Sequence, residues 1–167
     1  MGLADYKDFT IKAKIVDVSS IKEKLEILGA NKKGTDFQKD YYFQIDKGKL
    51  KWRDGNIENV IIHYERQKID GLEQTKVYRY DQNPIQSEID KLFQNHQLLS
   101  MVEKKRDIYT IANIKIHIDT LDNENFLEIE AIDEKGEIDL EGLKNQCFAL
   151  QQKLNIPDSD LIPTGYS

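Results

Sequence analysis

The chain has 167 residues, 39% of them apolar, which suffices for one core in a single domain over 1–167. Its formal net charge of −6 excludes the general positive field that draws nucleic acid or an anionic membrane to a protein, so any phosphate site must be local. No apolar run approaches the ~20 residues of a membrane span, and the start MGLADYKDFT lacks the apolar stretch of a secretory signal, so a cytoplasmic location is expected.

In chain order, Phe9, Ile11, Ala13 and Ile15 alternate with Asp8, Thr10, Lys12 and Lys14, which is the period of a strand. Ser19 or Ser20 is placed to cap a helix carrying Ile21, Leu25 and Leu28, with Gly29 as its stop. From Phe37 to Tyr80 the pattern is strand-like. Asp46-Lys47-Gly48, Asp54-Gly55-Asn56 and Asp70-Gly71 have hairpin-turn chemistry and divide that run into four antiparallel strands. Asn83-Pro84 opens a second helix through Ile85, Ile89, Leu92 and Phe93. Strands resume near Met101 and run to Ile132, interrupted at Ala112-Asn113 and Asp122-Asn123. A last helix, from about Asp139 to Leu154, puts Leu140, Leu143, Cys147, Leu150 and Leu154 on one stripe and ends before Pro157. Cys147 is the only cysteine, so no intrachain disulfide forms, and it reads as a small buried hydrophobe rather than a catalytic thiol.

About eight strands and three helices result, with no linker or internal repeat. Such a set closes into a barrel or splits into a sandwich, and the polar face decides which. In the third strand Lys49, Lys51 and Arg53 oppose Leu50 and Trp52, and in the seventh Lys115, His117 and Asp119 oppose Ile114, Ile116 and Ile118. In the eighth, Glu128 and Glu130 oppose Leu127 and Ile129. Alternation alone describes an open sheet with its polar face in water. Charge sorting points elsewhere, because the early polar positions are mostly basic (Lys12, Lys14, Lys49, Lys51, Arg53) and the late ones supply Asp119, Glu128 and Glu130. A sheet curled with helices on its apolar side would bring the two sets face to face. The expected fold is therefore α+β, a closed antiparallel eight-stranded β-barrel with about three covering helices. Its lumen suits a polyphosphate, held by Lys and Arg donors, with a divalent metal on hard oxygen ligands such as Glu128-x-Glu130, whose carboxylates project to one side of a strand.

The order and content of these segments resemble the CYTH superfamily of triphosphate tunnel metalloenzymes, and within it the class IV adenylate cyclase branch. The resemblance is carried by Lys12-Ala13-Lys14, Gln38-Lys39-Asp40-Tyr41-Tyr42-Phe43, Gly48-Lys49-Leu50-Lys51-Trp52-Arg53 and Tyr64-Glu65-Arg66 with Lys76. Further on it is carried by Lys104-Lys105-Arg106-Asp107-Ile108-Tyr109, Ile116-His117-Ile118-Asp119, Phe126-Leu127-Glu128-Ile129-Glu130 and the tail Leu161-Ile162-Pro163-Thr164-Gly165-Tyr166. It implies that Lys12, Lys51, Arg53, Arg66, Lys76, Lys104 and Arg106 contact phosphates, with Arg66 and Lys76 also catalytic. It further implies that Asp8, Asp119, Glu128 and Glu130 hold Mg²⁺ or Mn²⁺. The implied substrate is ATP, tripolyphosphate or thiamine triphosphate. The implied reaction is either cyclisation of ATP to cyclic AMP and pyrophosphate or hydrolysis of a triphosphate, and a homodimer is compatible with both. His117 is either a tunnel-wall residue or a ligand, whereas His63 and His96 show no metal-type pairing. Tyr41, Tyr42, Tyr64, Tyr78 and Tyr80 either stack on a base or pack within their strands.

The first strand departs from the family's Glu-x-Glu-x-Lys, reading Asp8-Phe9-Thr10-Ile11-Lys12. A hydroxyl is a poor substitute for a carboxylate at a divalent cation, so one metal position is expected to be weakened. The alternative function is accordingly a nucleotide- or polyphosphate-binding protein with weakened turnover. The tail, ending at Tyr166-Ser167, is expected to leave one tunnel mouth less covered than in relatives of that branch.

Overall fold

The computed structural model describes residues 6–69 and 72–162, with side chains over 7–67 and 75–162. The expected Asp70-Gly71 turn and the tail from Pro163 to Tyr166 lie outside the described residues. In chain order the elements are β1 (Tyr6–Ile15), α1 (Val18–Ile27), β2 (Asn31–Phe43), β3 (Lys49–Gly55), β4 (Asn59–Ile69) and β5 (Leu72–Gln82). They continue with α2 (Gln86–Asn95), β6 (Leu98–Ile111), β7 (Ile114–Leu121), β8 (Glu124–Asp133), α3 (Leu140–Lys153), a 3₁₀ turn (Asp158–Asp160) and β9 (Leu161–Ile162).

Four element starts differ from the sequence reading: α2 begins at Gln86 with Ile85 as its cap, so Pro84 lies ahead of its first turn, β6 begins at Leu98 ahead of Met101, and α1 and β2 differ as well. The cap of α1 is Asp17, whose carboxylate accepts the Ser20 N–H at 3.0 Å, and Ser19 and Ser20 lie inside the first turn. Strand β2 starts at Asn31, ahead of Phe37, because Asn31–Thr35 pairs with Asp107–Thr110 of β6 through a bulge between Lys32 and Gly34. That stretch has no apolar alternation to announce a strand. Asp122 and Asn123 both take positive φ (47° and 68°), the conformation of a two-residue hairpin turn between β7 and β8.

The described strands form one antiparallel sheet of nine, in the order β5-β4-β3-β2-β6-β7-β8-β1-β9, and β5 also pairs with β1. The expectation of eight strands in a closed barrel is corrected in two respects. A short ninth strand adds to β1, and among the described residues the β1–β5 contact spans two residue pairs, Tyr6↔Thr75 and Lys7↔Gln74. The result is a curled sheet whose apolar side is covered by helices and whose polar side faces inward.

The larger hydrophobic cluster joins the outer faces of β1, β7 and β8 to α1 and α3, with Leu25, Ile116, Leu127, Ile129 and Leu143 at 0–1% exposure. A smaller one seats Ile89 and Leu92 of α2 on Phe43, Leu50 and Ile61. Cys147 lies in the larger cluster with its Sγ 3.2 Å from the Phe9 carbonyl, and burial pushes its thiol up to about 12, the state of an inert packing group.

The inner face depends on buried carboxylates, of which Asp36 is the one that organises the turn after β3. Asp36 is fully buried and accepts the Ile57 and Glu58 N–H groups at 2.8 and 3.0 Å and the Gln38 amide at 2.8 Å. The turn closes this tightly because residue 55 is glycine: a Cβ there would lie 2.6 and 2.7 Å from the two Asp36 oxygens. Asp36→Ala strands these donors and is expected to lower the unfolding free energy by about 2–4 kcal/mol. Urea denaturation reads this as a lower midpoint, and a midpoint equal to the parent's would show that the turn holds without the carboxylate.

Candidate functional site

Inside the sheet lies a cavity of about 280 Å³, lined from β2 by Asp40 and Tyr42, from β3 by Lys49, Lys51 and Arg53, and from β6 by Lys104 and Arg106. Strands β4, β5, β7 and β8 add, among others, Arg66, Thr75, Lys115, His117, Glu128 and Glu130. Seven cationic side chains and five carboxylates line this space in a chain whose net charge is −6. The local positive excess therefore comes from sorting by strand face.

On the basic side, Asp40 sits at the centre of three cations. Arg53, its register partner on β3, donates from Nε and Nη2 to the two carboxylate oxygens at 2.9 and 2.8 Å. Lys104 on β6 donates at 2.6 Å, and the Lys51 ammonium lies 3.7 Å away. Burial works against the Asp40 charge, but these partners outweigh it and hold the carboxyl far below the usual range. Arg106 is gripped in the same way, its Nε and Nη2 donating to Asp119 on β7 at 2.8 and 2.9 Å.

On the acidic side the register sets two rows. Thr10, Glu130 and Lys115 are neighbours across β1, β8 and β7, and Lys12, Glu128 and His117 form the next row. Burial and then Arg106 hold His117 below its ordinary value, so it is neutral at pH 7, and its Nδ1 lies 3.4 Å from Glu128. Glu128 stays ionised, since His117 and Arg106 outweigh the effect of burial. Glu130 behaves oppositely. Burial and its hydrogen bond with Asp8 push it up to about 8, so Glu130 keeps its proton in neutral solution. Asp8 also accepts from Thr75 Oγ1 at 2.7 Å and Arg66 Nη1 at 3.3 Å. The Thr10 hydroxyl is buried beside this pair with no hydrogen-bond partner.

The structure thus brings Lys51, Arg53, Arg66, Lys104, Arg106, Glu128 and Glu130 to one cavity. Lys12, 2% exposed, lies opposite Glu128 with its ammonium 4.9 Å from the Phe126 ring centroid, and desolvation lowers it to about 8. Asp8 and Asp119 are fully buried behind the lining, bonded to Thr75 and to Arg106. Lys76 is not brought in. Its ammonium lies 5.6 Å from the Tyr78 ring, and the lining residue is its neighbour Thr75. The reason is alternation of faces along β5, reset by a bulge: the β4 partners pass from Arg79 to Val77, so Tyr78 is extra, and Thr75 and Tyr80 both reach the cavity. Of the tyrosines weighed for base stacking, Tyr42, Tyr64 and Tyr80 line the cavity, while Tyr41 stacks on Trp52 outside it at 5.0 Å.

Sequence reasoning passed over Asp40, Glu58 and Lys115. The alternation of Asp36, Gln38, Asp40 and Tyr42 against Phe37, Lys39, Tyr41 and Phe43 was the available signal for Asp40. Among the described residues no three His, Cys, Asp or Glu side chains gather closely enough to cage a metal ion, and no helix is long and apolar enough to cross a membrane.

With this geometry in hand, comparison with known proteins finds the CYTH domain over residues 10–166. The chain belongs to the CYTH family. Its fold is that of solved CYTH-like structures. A protein of Pyrococcus horikoshii is 24% identical, with 95% of this chain and 96% of the other covered at a TM-score of 0.77. A Vibrio parahaemolyticus protein bearing a provisional adenylate cyclase name is 13% identical over 96% and 95% of the two chains, at a TM-score of 0.77. A Hippeastrum protein named for adenylyl cyclase, with triphosphatase given as its dominant activity, is 15% identical over 96% and 92%, at 0.60. No curated protein matches the chain in sequence.

The proton held by Glu130 gives this CYTH chain a pH dependence of defined sign. An acid whose folded value lies above its ordinary 4.5 holds a proton that the unfolded chain has lost, so stability falls as pH rises from about 4.5 through about 8. Glu130→Gln cannot ionise and is expected to flatten that decline. Melting temperatures of parent and variant between pH 5 and 8 should converge at the acid end and separate at the alkaline end, with the variant the more stable. Parallel curves would show that Glu130 does not hold this proton.

Proposed function

We propose that this chain binds a triphosphate in the cavity together with a divalent metal and cleaves one of its phosphoanhydride bonds. The observation that carries the reading is the convergence of seven cations from β3, β4, β6 and β7 on one lumen, a cluster whose mutual repulsion a polyanion relieves. Arg53 and Arg106 offer rigid forks to phosphate oxygens, and Lys51, Lys104 and Lys115 offer point charges. A volume of about 280 Å³ is at or below the ~300–1,000 Å³ usual for small-molecule sites, which favours a compact polyphosphate over a whole nucleotide. Hydrolysis of tripolyphosphate, or of the tail of an organic triphosphate, fits that space better than cyclisation of ATP, which needs the ribose inside.

The residues that fit a metal are Glu128, an ionised carboxylate on the cavity wall, and Glu130, whose proton a cation can replace; they form no closed cage among the described residues, so phosphate oxygens would complete the ligand set. Asp119 does not fit, because both its oxygens are engaged by Arg106. When bound, Mg²⁺ or Mn²⁺ would polarise the phosphate and neutralise charge on the leaving group. The chain's own contribution is to hold the phosphates on the basic wall, with Arg66 joining the two sides through Asp8. A second reading, binding with slow turnover, is favoured by Thr10, which supplies an unpartnered hydroxyl where a carboxylate would complete the acidic row.

Product analysis separates these readings: orthophosphate release marks hydrolysis, pyrophosphate with cyclic AMP marks cyclisation, and neither marks a binder. Tripolyphosphate is expected to raise the melting temperature more than orthophosphate does, by the equivalent of roughly 2.7 kcal/mol at a hundredfold excess over its dissociation constant. The double variant Lys51→Ala/Arg53→Ala should lose most of that difference, and an undiminished shift would remove both residues from the site. Thr10→Glu adds a carboxylate opposite Glu130. Calorimetric titration should show tighter Mn²⁺ binding, and the metal-free variant should melt lower because another acid crowds the Asp8–Glu130 pair. Unchanged Mn²⁺ affinity would show that Thr10 lies outside the metal position.

A further inference from the structure

We propose that Asp40 is the positioning residue of the cavity: without itself contacting the phosphates, it sets Lys51, Arg53 and Lys104 in the arrangement that receives them. The inference rests on the triphosphate reading above and goes beyond it by assigning a role to an anion inside an anion-binding site. By charge alone such a residue should weaken the site. Its geometry shows what it does instead.

Asp40 lies on β2, between β3 and β6, and the three cations come from those two neighbours. Its carboxylate is fully buried, spans Nε and Nη2 of Arg53 at 2.9 and 2.8 Å, and receives Lys104 at 2.6 Å with Lys51 at 3.7 Å. Asp119 makes the same fork to Arg106, whereas Asp40 ties together two strands and three cations. The fork uses two of the five guanidinium donors of Arg53, and a third reaches Glu58 at 3.4 Å, so the side chain is fixed by one edge. A phosphate then meets a guanidinium already in place.

Without Asp40 the cations would repel one another, and the two kinds respond differently. A guanidinium keeps its proton, but an amine can relieve the repulsion by losing one. The groups facing Lys51 are Arg53, Asp40, Lys104 and Arg106, with the Tyr42 and Tyr64 rings at 5.7 and 5.8 Å. Burial and then Arg53 hold Lys51 well below its ordinary value, and Asp40 acts the other way. Lys104 faces Arg53, Arg106 and Asp40. Burial and the two arginines lower it to about 8, and Asp40 again opposes the shift. Burial raises both tyrosines, so they stay neutral and do not compete. Asp40 therefore favours the protonated form of both amines as well as holding them in place.

The test is calorimetric titration of metal-free protein with tripolyphosphate from pH 6 to 9, parent against Asp40→Asn. The parent is expected to bind, with affinity falling as pH rises past about 8, where Lys104 loses its proton. In Asp40→Asn that alkaline fall should begin about one pH unit lower and leave binding at pH 8 weaker by about tenfold. A variant whose affinity runs parallel to the parent's at every pH would overturn the positioning role, since a merely structural carboxylate changes stability without moving the limb. A parent that fails to bind would overturn the triphosphate reading and this inference together. If Asp40→Asn does not fold, the comparison moves to a background with less unbalanced charge, Lys104→Met against Asp40→Asn/Lys104→Met. There the double variant should bind tripolyphosphate more weakly than Lys104→Met across the pH range, because Lys51 and Arg53 are no longer held, and identical curves would overturn the proposal.

Discussion

Cations crowd the inside of a curled sheet, and much of the structure depends on how their repulsion is contained. Strand alternation sends Lys49, Lys51 and Arg53 of β3 and Lys104 and Arg106 of β6 into one space, where all but the exposed Lys49 have lost most of their water. Buried charges persist only with partners, and the partners here are aspartates placed one strand away, Asp40 for β3 and β6 and Asp119 for Arg106. The pairing leaves the lumen more positive than negative, so it stores an attraction for polyanions that the net charge of the chain does not reveal.

The fold that provides this space has its polar residues inside and its apolar ones outside, which shifts the hydrophobic core to the interface between sheet and helices. Helices α1 and α3 cover the β1, β7 and β8 side that carries the carboxylates, and α2 covers β2 and β3, which carry the central basic group. Each half of the site is thus backed by its own apolar cluster. The basic half is held from within by hydrogen bonds to Asp36 and Asp40 and from without by Phe43, Leu50, Ile61, Ile89 and Leu92. Rigid support on both faces keeps cationic side chains from swinging away from one another when no ligand is present.

The acidic half is less settled. Glu130 keeps its proton beside Asp8, Glu128 is ionised beside a neutral His117, and the Thr10 hydroxyl has no partner. Acids forced together in a low-dielectric space are the arrangement a cation relieves, which is why metal and polyphosphate are read as joint ligands of one cavity. Lys115, opposite Glu130 in register, places a cation within that half and links it to the basic wall.

How much of this was legible follows from the length scale of each feature. The helices, the hairpin turns and the inward or outward sense of β1, β3, β7 and β8 follow from local periodicity, because side chains alternate with a period of two in any strand. Charge sorting between early and late strands was enough to expect a two-signed lumen and to nominate Lys51, Arg53, Glu128 and Glu130. The tertiary structure decided what depends on register and on bulges. The extra residue at Tyr78 turns Lys76 away and Thr75 inward, and a shift of one residue reverses every side chain beyond it. The Asp119 carboxylate reads as a metal ligand in the sequence, yet its strand pairing sets it against Arg106. Asp40 reads as one more polar position on a strand. Only the neighbours that β2 acquires in the sheet surround it with three cations, because which charges meet in the interior is fixed by strand order, and strand order is a property of the whole chain.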